Sequence, residues 1–419
     1  MAPLPSPSQP SPSASAASNS NSTSSSSLQP IPLSSIAAAA ASSSNMNYLW
    51  IPLLIALSKE LTVSANAKST DSPLLLPSEV DAFGTVPRCP AGDPNLNFRP
   101  VIGILSHPGD GASGRLNNAS NISYIAASYV KFVESAGARV IPLIFNEPTE
   151  VLYEIWIAFV LKGVPMQCIK KLNLVNGVIF TGGRAKSGLY YEVVQSIFKN
   201  VLRKNDAGDH FPLLAICLGF ELLTMIVSED RNILEEFSAK NQASTLQFMN
   251  NININGSVFQ SVSSAFAKEA EYKMPRDANS SLFSYGVSPE KFQTSKNLCT
   301  FFEILTTSSD RNDKVYVSTI QAHSYPVTAV QWHPEKNAFE WGLSGIPHSE
   351  DAVQVTQHVA NFIVRFKFVF PCIQSNREAR MSVNRPPARE VLDNLIYNYS
   401  PTYCGKAGRG FDEVYIFSS

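Results

Sequence analysis

Residues 211–228 read "FPLLAICLGFELLTMIVS": an unbroken apolar run, a lone cysteine, a glycine two places on, and a second apolar run. Free cysteine is among the most buried side chains, so a lone Cys after "PLLAI" reads first as core packing. Its neighbours argue for chemistry. A strand that passes at once into a helix, with small residues two before and two after the cysteine, has the shape of a nucleophile elbow. Ala215 and Gly219 occupy those two places. The turn puts the Cys217 sulfur at a helix N-terminus, where the dipole and the unpaired N–H groups favour a thiolate. A thiol of ordinary pKa, about 8.5, is only about 3% ionised at pH 7, so a base or a second cation has to help.

The elements around this stretch alternate. "RPVIGILSHP" (99–108) reads as a strand buried on both faces, and "NISYIAASYVKFVESAGARVIPLIF" (121–145) as a helix followed by a strand. The expected helix carries Ile125, Tyr129, Phe132 and Val133 on one face and ends at Gly137; the strand runs Val140–Phe145. This is a βαβ unit, which implies parallel pairing. "LVNGVIFTGG" (174–183) is a strand and a glycine turn, "YYEVVQSIFKNVLRKN" (190–205) a helix, and "FPLLAI" (211–216) another buried strand. "VYVSTIQAHSYPVTAVQWHPEKNAFEW" (315–341) predicts a hairpin leading to His333, and "DAVQVTQHVANFIVRF" (351–366) a closing helix. The fold class is α/β, with a mostly parallel central sheet flanked by helices.

In such folds ligands sit beyond the carboxyl ends of the strands, where Gly182 with Gly183, Cys217 and His333 all fall. Pro334 turns Glu335 back toward the imidazole. The chemistry then assigns Cys217 as nucleophile, His333 as base and later acid, and Glu335 as the group that holds the tautomer. Backbone N–H groups of Leu218 and Gly183 are candidates for the oxyanion hole. Alone, His333 reads as a satisfied strand-end histidine, "TGG" as a turn and Glu335 as a surface charge; only the ordered set is specific.

Composition bounds the rest. Residues 1–45 are Ser, Pro, Ala and Asn without a charge, a composition that does not support a core. Residues 46–67, "MNYLWIPLLIALSKELTVSANA", read as a secretory signal peptide whose apolar part, Tyr48–Leu57, is too short to span a bilayer. A buried helix and a chloroplast transit peptide are the competing readings. Residues 68–97 read as a linker and 98–419 as one domain. With 33 basic and 34 acidic residues and no basic run, nothing points to a nucleic-acid partner, and none to a membrane once the leader is removed. Six cysteines, at 89, 168, 217, 299, 372 and 404, are spread too widely for a compact disulfide framework or a CxxC metal site. Sequons at Asn118, Asn121, Asn255, Asn279 and Asn398 fit a secretory route.

Several segments together carry a resemblance: "SHPGDGASGR", "YIAASYVKFVESAGARVIP", "NGVIFTGG", "CLGFELL", "VQWHPEKNAFEW" and "LIYNYSPTYCG". The chain resembles the class I glutamine amidotransferase-like hydrolases, which are flavodoxin-like with a nucleophile elbow, and within them the plant γ-glutamyl hydrolases (folate polyglutamate hydrolases) of peptidase family C26 type. The resemblance implies cleavage of folylpoly-γ-glutamates through a cysteine thioester, releasing glutamate or poly-γ-glutamate. Cys217 and His333 would be catalytic, with the vacuole or the extracellular space or cell wall as location, a homodimer as the common assembly, and no metal or cofactor. Gly182, Gly183, Leu218 and Glu221 form the implied substrate-binding set. Glu221 stands where glutamine-fed amidotransferases usually carry Gln, four residues after the nucleophile, and reads equally as a pocket residue or as a helix-surface or outer-layer group.

Departures open alternatives. Ala215 replaces a family glycine, Phe283 in "LFSYGVSP" stands where similar enzymes carry a histidine, and 260–281 does not follow the family pattern. These motivate a pseudo-enzyme or binding protein for γ-glutamyl ligands; a γ-glutamyl peptidase acting on glutathione conjugates is the third reading. The apolar segments 155–168 and 366–375 read as additions to the family pattern or as gene-model artefacts.

Overall fold

A computed structural model describes residues 96–109, 122–147, 170–239, 242, 244–250, 252–260, 284–343, 345–364, 378–405 and 410–418. The chain divides into Met1–Pro90 and Ala91–Ser419, and every described residue lies in the second unit. The Ser-rich tail, the leader, nearly all of the linker, segments 155–168 and 366–375, Phe283, and the sequons at Asn118, Asn121 and Asn279 lie outside the described residues.

An eight-stranded sheet carries the site. Its strands run in the order Arg139–Leu143, Val101–Leu105, Val178–Phe180, Leu213–Ile216, Val327–Val330, Val315–Ala322, Phe302–Ser309 and Gln247–Phe248. The first five pair in parallel, and the last three add on antiparallel. The α/β expectation with a mostly parallel centre therefore holds.

The central strands Val101–Leu105, Val178–Phe180 and Leu213–Ile216 carry no polar side chain because both faces are covered. Alternate residues serve opposite sides. Ile102, Ile104, Ile179, Leu214 and Ile216 join one core with Tyr129, Phe132, Val133, Val359 and Ile363. Val101, Leu105, Val178, Phe180, Leu213 and Ala215 join the other with Val194, Ile197, Phe220 and Leu223. The helices responsible are Ala127–Ser135 and Glu350–Val364 on the first side, and Gly188–Asp206 and Leu218–Ser228 on the second. Among the described residues no helix is long and apolar enough to cross a membrane.

One expected helix is shorter than its sequence suggests. Residues 122–126 form a strand, and the helix starts only at Ala127, so Ile125 belongs to the strand rather than to the helical face. Ile122–Ala126 pairs antiparallel with Glu413–Ser418 and with His107–Pro108 in a separate four-stranded sheet. Its β-branched and aromatic residues favour a strand, and a partner strand at the far end of the chain supplies the pairing. The helix ends as expected at Gly137, whose φ of 87° suits glycine.

Candidate active site

The strand Leu213–Ile216 passes straight into the helix Leu218–Ser228, with Cys217 between them at φ 53° and ψ −101°. A non-glycine residue there is strained, at an order-of-magnitude cost of about 1–3 kcal/mol. The strain persists because the turn is held from both sides: the Cys217 N–H donates to Val330 O at 2.8 Å, and its carbonyl accepts from Glu221 N at 3.1 Å. Gly219 is required by contact, since a Cβ there would lie 2.9 Å from Phe180 Cβ and 3.0 Å from Phe180 O. The same position would meet Ala215 Cβ at 3.2 Å, so the extra methyl of Ala215 is accommodated because residue 219 has no side chain.

His333 follows the strand Val327–Val330, the parallel neighbour of the nucleophile strand, and so arrives beside Cys217. Its Nδ1 lies 2.7 Å from Glu335 Oε1, and both side chains are buried. An acceptor-only carboxylate at that distance assigns the proton to Nδ1 and leaves Nε2 for the thiol. Burial pulls the imidazole pKa down, as does the Lys336 ammonium, but the charges of Glu335 and Cys217 outweigh both and raise it to about 9. The preferred state at neutral pH is thus an imidazolium. That cation lies against the Cys217 side chain.

The glycine loop closes over this pair. A Cβ on Gly182 would lie 2.8 Å from His333 Cε1 and 3.4 Å from Cys217 Cβ, so only glycine lets this backbone approach. The Gly182 N–H is used structurally, donating to Tyr129 Oη at 2.9 Å. Gly183 has φ 152°, and a side chain there would run into the His107 ring at 2.2 Å. His107 shapes the loop further. Its Nε2 accepts from Arg184 N at 3.0 Å and Ala185 N at 3.2 Å, while Nδ1 lies 2.7 Å from Pro108 O, so this ring is the neutral Nδ1–H tautomer. Leu218 begins the helix, where the first N–H groups lack helical partners.

Glu221 is not a solvated helix-surface charge. It is buried in the first turn of the nucleophile helix, where a carboxylate is favoured by the helix dipole. Lys186 Nζ lies 2.9 Å from its Oε2, and Gln331 Nε2 donates to its Oε1 at 3.4 Å. Gln331 Nε2 is also 3.9 Å from Cys217 Sγ, and Lys186 Nζ stands 3.6 Å from the Tyr285 ring centroid. No group of three His, Cys, Asp or Glu side chains able to hold a metal occurs among the described residues.

The structure thus brings Cys217, His333, Glu335, Gly182, Gly183, Leu218 and Glu221 to one end of the central strands. Lys186, Gln331, Tyr285, His107 and Tyr129 were not legible as site residues. Lys186 reads as a solvated loop charge and Gln331 as an ordinary residue near a strand end. Only a histidine two places after a buried strand could have singled out His107.

A strained cysteine at a strand-to-helix turn, facing a buried His–Glu pair above a parallel sheet, is the arrangement a cysteine-dependent hydrolase requires. A model of the peptidase C26 family matches residues 100–335. The chain is 55% identical over 374 residues to "Gamma-glutamyl hydrolase 2" of Arabidopsis thaliana, covering 88% of this chain and 97% of that protein. It is 49% identical over 357 residues to "Gamma-glutamyl hydrolase" of Glycine max, covering 85% and 95%, and 33% identical over 325 residues to that of Mus musculus, covering 76% and 90%. Among solved structures, PurLQS from Thermotoga maritima aligns with TM-score 0.34 and 13% identity, over 63% of this chain and 99% of that chain. The chain belongs to the peptidase C26 family.

Proposed function

We propose that this protein hydrolyses the γ-glutamyl bonds of folylpoly-γ-glutamates through a thioester on Cys217. The observation that carries the reading is the buried His333–Glu335 pair at 2.7 Å, set against a cysteine held at positive φ on a helix N-terminus. Relatives named γ-glutamyl hydrolase share about half of its residues over nearly their full length, which supports the bond class.

In the reaction the Cys217 thiolate attacks the γ-carbonyl carbon, and the developing oxyanion takes hydrogen bonds from the Gly183 and Leu218 N–H groups. His333 Nε2–H then protonates the departing amine as the C–N bond breaks, leaving a thioester. Water enters, gives its proton to the now neutral His333 and attacks the same carbon; the thiolate leaves and the imidazolium is restored. Glu335 keeps Nδ1–H oriented throughout, and no group outside this set has to donate or accept a proton.

Timed product analysis on a pteroylpentaglutamate tests the proposal: the native protein releases glutamate or γ-linked oligomers, and Cys217→Ser releases none while keeping its circular dichroism spectrum and melting temperature. Equal release by the two proteins would refute it. The proposal extends to the compartment, the vacuole or extracellular space, supported by the leader-like residues 46–67; a fluorescent fusion that stays cytosolic would remove that part. A homodimer is the proposed assembly, checked by sedimentation.

A further inference from the structure

We infer that Lys186 is a specificity-determining residue, whose ammonium reads the α-carboxylate of the γ-glutamyl unit under attack; the inference rests on the γ-glutamyl hydrolase reading above. The argument begins with position. Lys186 Nζ is 2.9 Å from Glu221 Oε2, Glu221 Oε1 is 3.4 Å from Gln331 Nε2, and that nitrogen is 3.9 Å from Cys217 Sγ. Three contacts therefore link the ammonium to the attacking sulfur through Glu221 and Gln331.

The ammonium is held there. Glu221 binds it from the buried side, and the Tyr285 ring lies under it at 3.6 Å to the centroid. A cation over a ring face and against a carboxylate loses much of the freedom that makes surface lysines weak binders. Lys has three N–H donors. With the side chain 26% exposed, its ion pair with Glu221 and the ring beneath it do not enclose the ammonium, which stays accessible to a ligand.

A second observation points to a ligand. Gln331 is fully buried, yet its Oε1 has no hydrogen-bond partner among the described residues. A buried acceptor left in this state is costly unless something arrives to satisfy it, and the fitting group is an N–H. A γ-glutamyl unit carries both complements on its α-carbon: a carboxylate for Lys186 and an N–H for Gln331. The γ-carbonyl is three bonds away, at the sulfur. An α-linked glutamate has spent that carboxylate on its peptide bond and offers nothing to Lys186. The pocket thereby selects γ-linked over α-linked chains by charge.

Binding to Cys217→Ser protein separates this from turnover. The probes are γ-linked pentaglutamate and its analogue with α-carboxamides in place of α-carboxylates, titrated by calorimetry. Lys186→Met weakens binding of the carboxylate ligand about 10- to 100-fold, the range of a charge-assisted hydrogen bond, and leaves the carboxamide ligand unchanged. Lys186→Arg retains most of the affinity because it keeps the charge. In protein with Cys217 intact, Lys186→Met raises KM by a similar factor with kcat within about threefold. Equal weakening of both ligands would make Lys186 mere support for Glu221 and overturn the inference; so would no change in either, or no binding by Cys217→Ser. If the binding pattern holds and native protein releases no glutamate, the hydrolase reading fails and the Lys186 assignment stands.

Discussion

The Cys217–His333–Glu335 corner and the Lys186–Glu221–Gln331–Tyr285 wall meet through Gln331 but are built in different ways. The corner comes from adjacent parallel strands, its His and Glu buried and its backbone locked by contacts that tolerate no added Cβ at Gly182 or Gly219. The wall is assembled from a loop, a helix, a strand end and a short edge strand, and two of its members, Lys186 and Tyr285, reach solvent. Bond-making demands atoms held within a few tenths of an ångström, and strand ends supply that rigidity. Recognition of a charged ligand tolerates longer and more exposed side chains, which loops supply.

Substitutions in the corner should therefore act on kcat and those in the wall on KM. The largest effect is expected for Cys217→Ser, with glutamate release falling by more than about 10⁴-fold in a steady-state assay. Glu335→Gln keeps the volume but offers Nδ1 an amide in place of a charge, so kcat should drop by about 10²–10⁴-fold with KM nearly constant. Gly183→Ala sets a methyl into the His107 ring and would displace the N–H proposed as an oxyanion donor; about 10²–10³-fold in kcat is expected. An unchanged kcat for Gly183→Ala would show that the Gly183 N–H does not face the reacting carbonyl.

Smaller effects come from protonation. With its pKa raised to about 9, His333 loses its proton as pH rises through that value, so kcat/KM should fall along an alkaline limb there. Since the Glu335 charge raises that pKa, Glu335→Gln should move the limb to lower pH; a limb that stays in place would break the link between the two groups. The sign for stability is the same: the stabilising contribution of a cationic His333 is complete below the unfolded value near 6.5 and is lost through about 9.

Glu340 provides the smallest effect, and outside the reaction. Burial pushes its carboxyl up to about 7, so the folded protein prefers it neutral. Its contribution to stability is complete below about 4.5 and declines as pH rises to about 7. Glu340→Gln, which can still accept from the Asp412 N–H, should flatten the melting temperature between pH 4.5 and 7 without altering kcat. An unchanged slope would assign the pH dependence of stability in that range to other groups.

The elbow was legible because its signal is local: an apolar strand, small residues at 215 and 219, and a helix directly after the cysteine. His333 and Glu335 were legible for the same reason, since two residues around a proline settle their own geometry. The alternation of strands and helices likewise announced a parallel sheet before any coordinates. Where distant segments compete, local pattern falls short. Ile122–Ala126 runs without a break into a helical pattern, and its pairing with Glu413–Ser418, at the far end of the chain, is what holds the helix start back to Ala127. Lys186 lies in a loop, Gln331 just past a strand, and Tyr285 and His107 in strands of three and two residues, too short for periodicity to mark them, and nothing in their spacing says that they meet. The elbow and the His333–Glu335 pair are each set by residues a few places apart. Their meeting across adjacent strands, and the approach of Lys186 to Glu221, come from long-range packing, because side chains far apart in sequence meet only when the sheet is assembled.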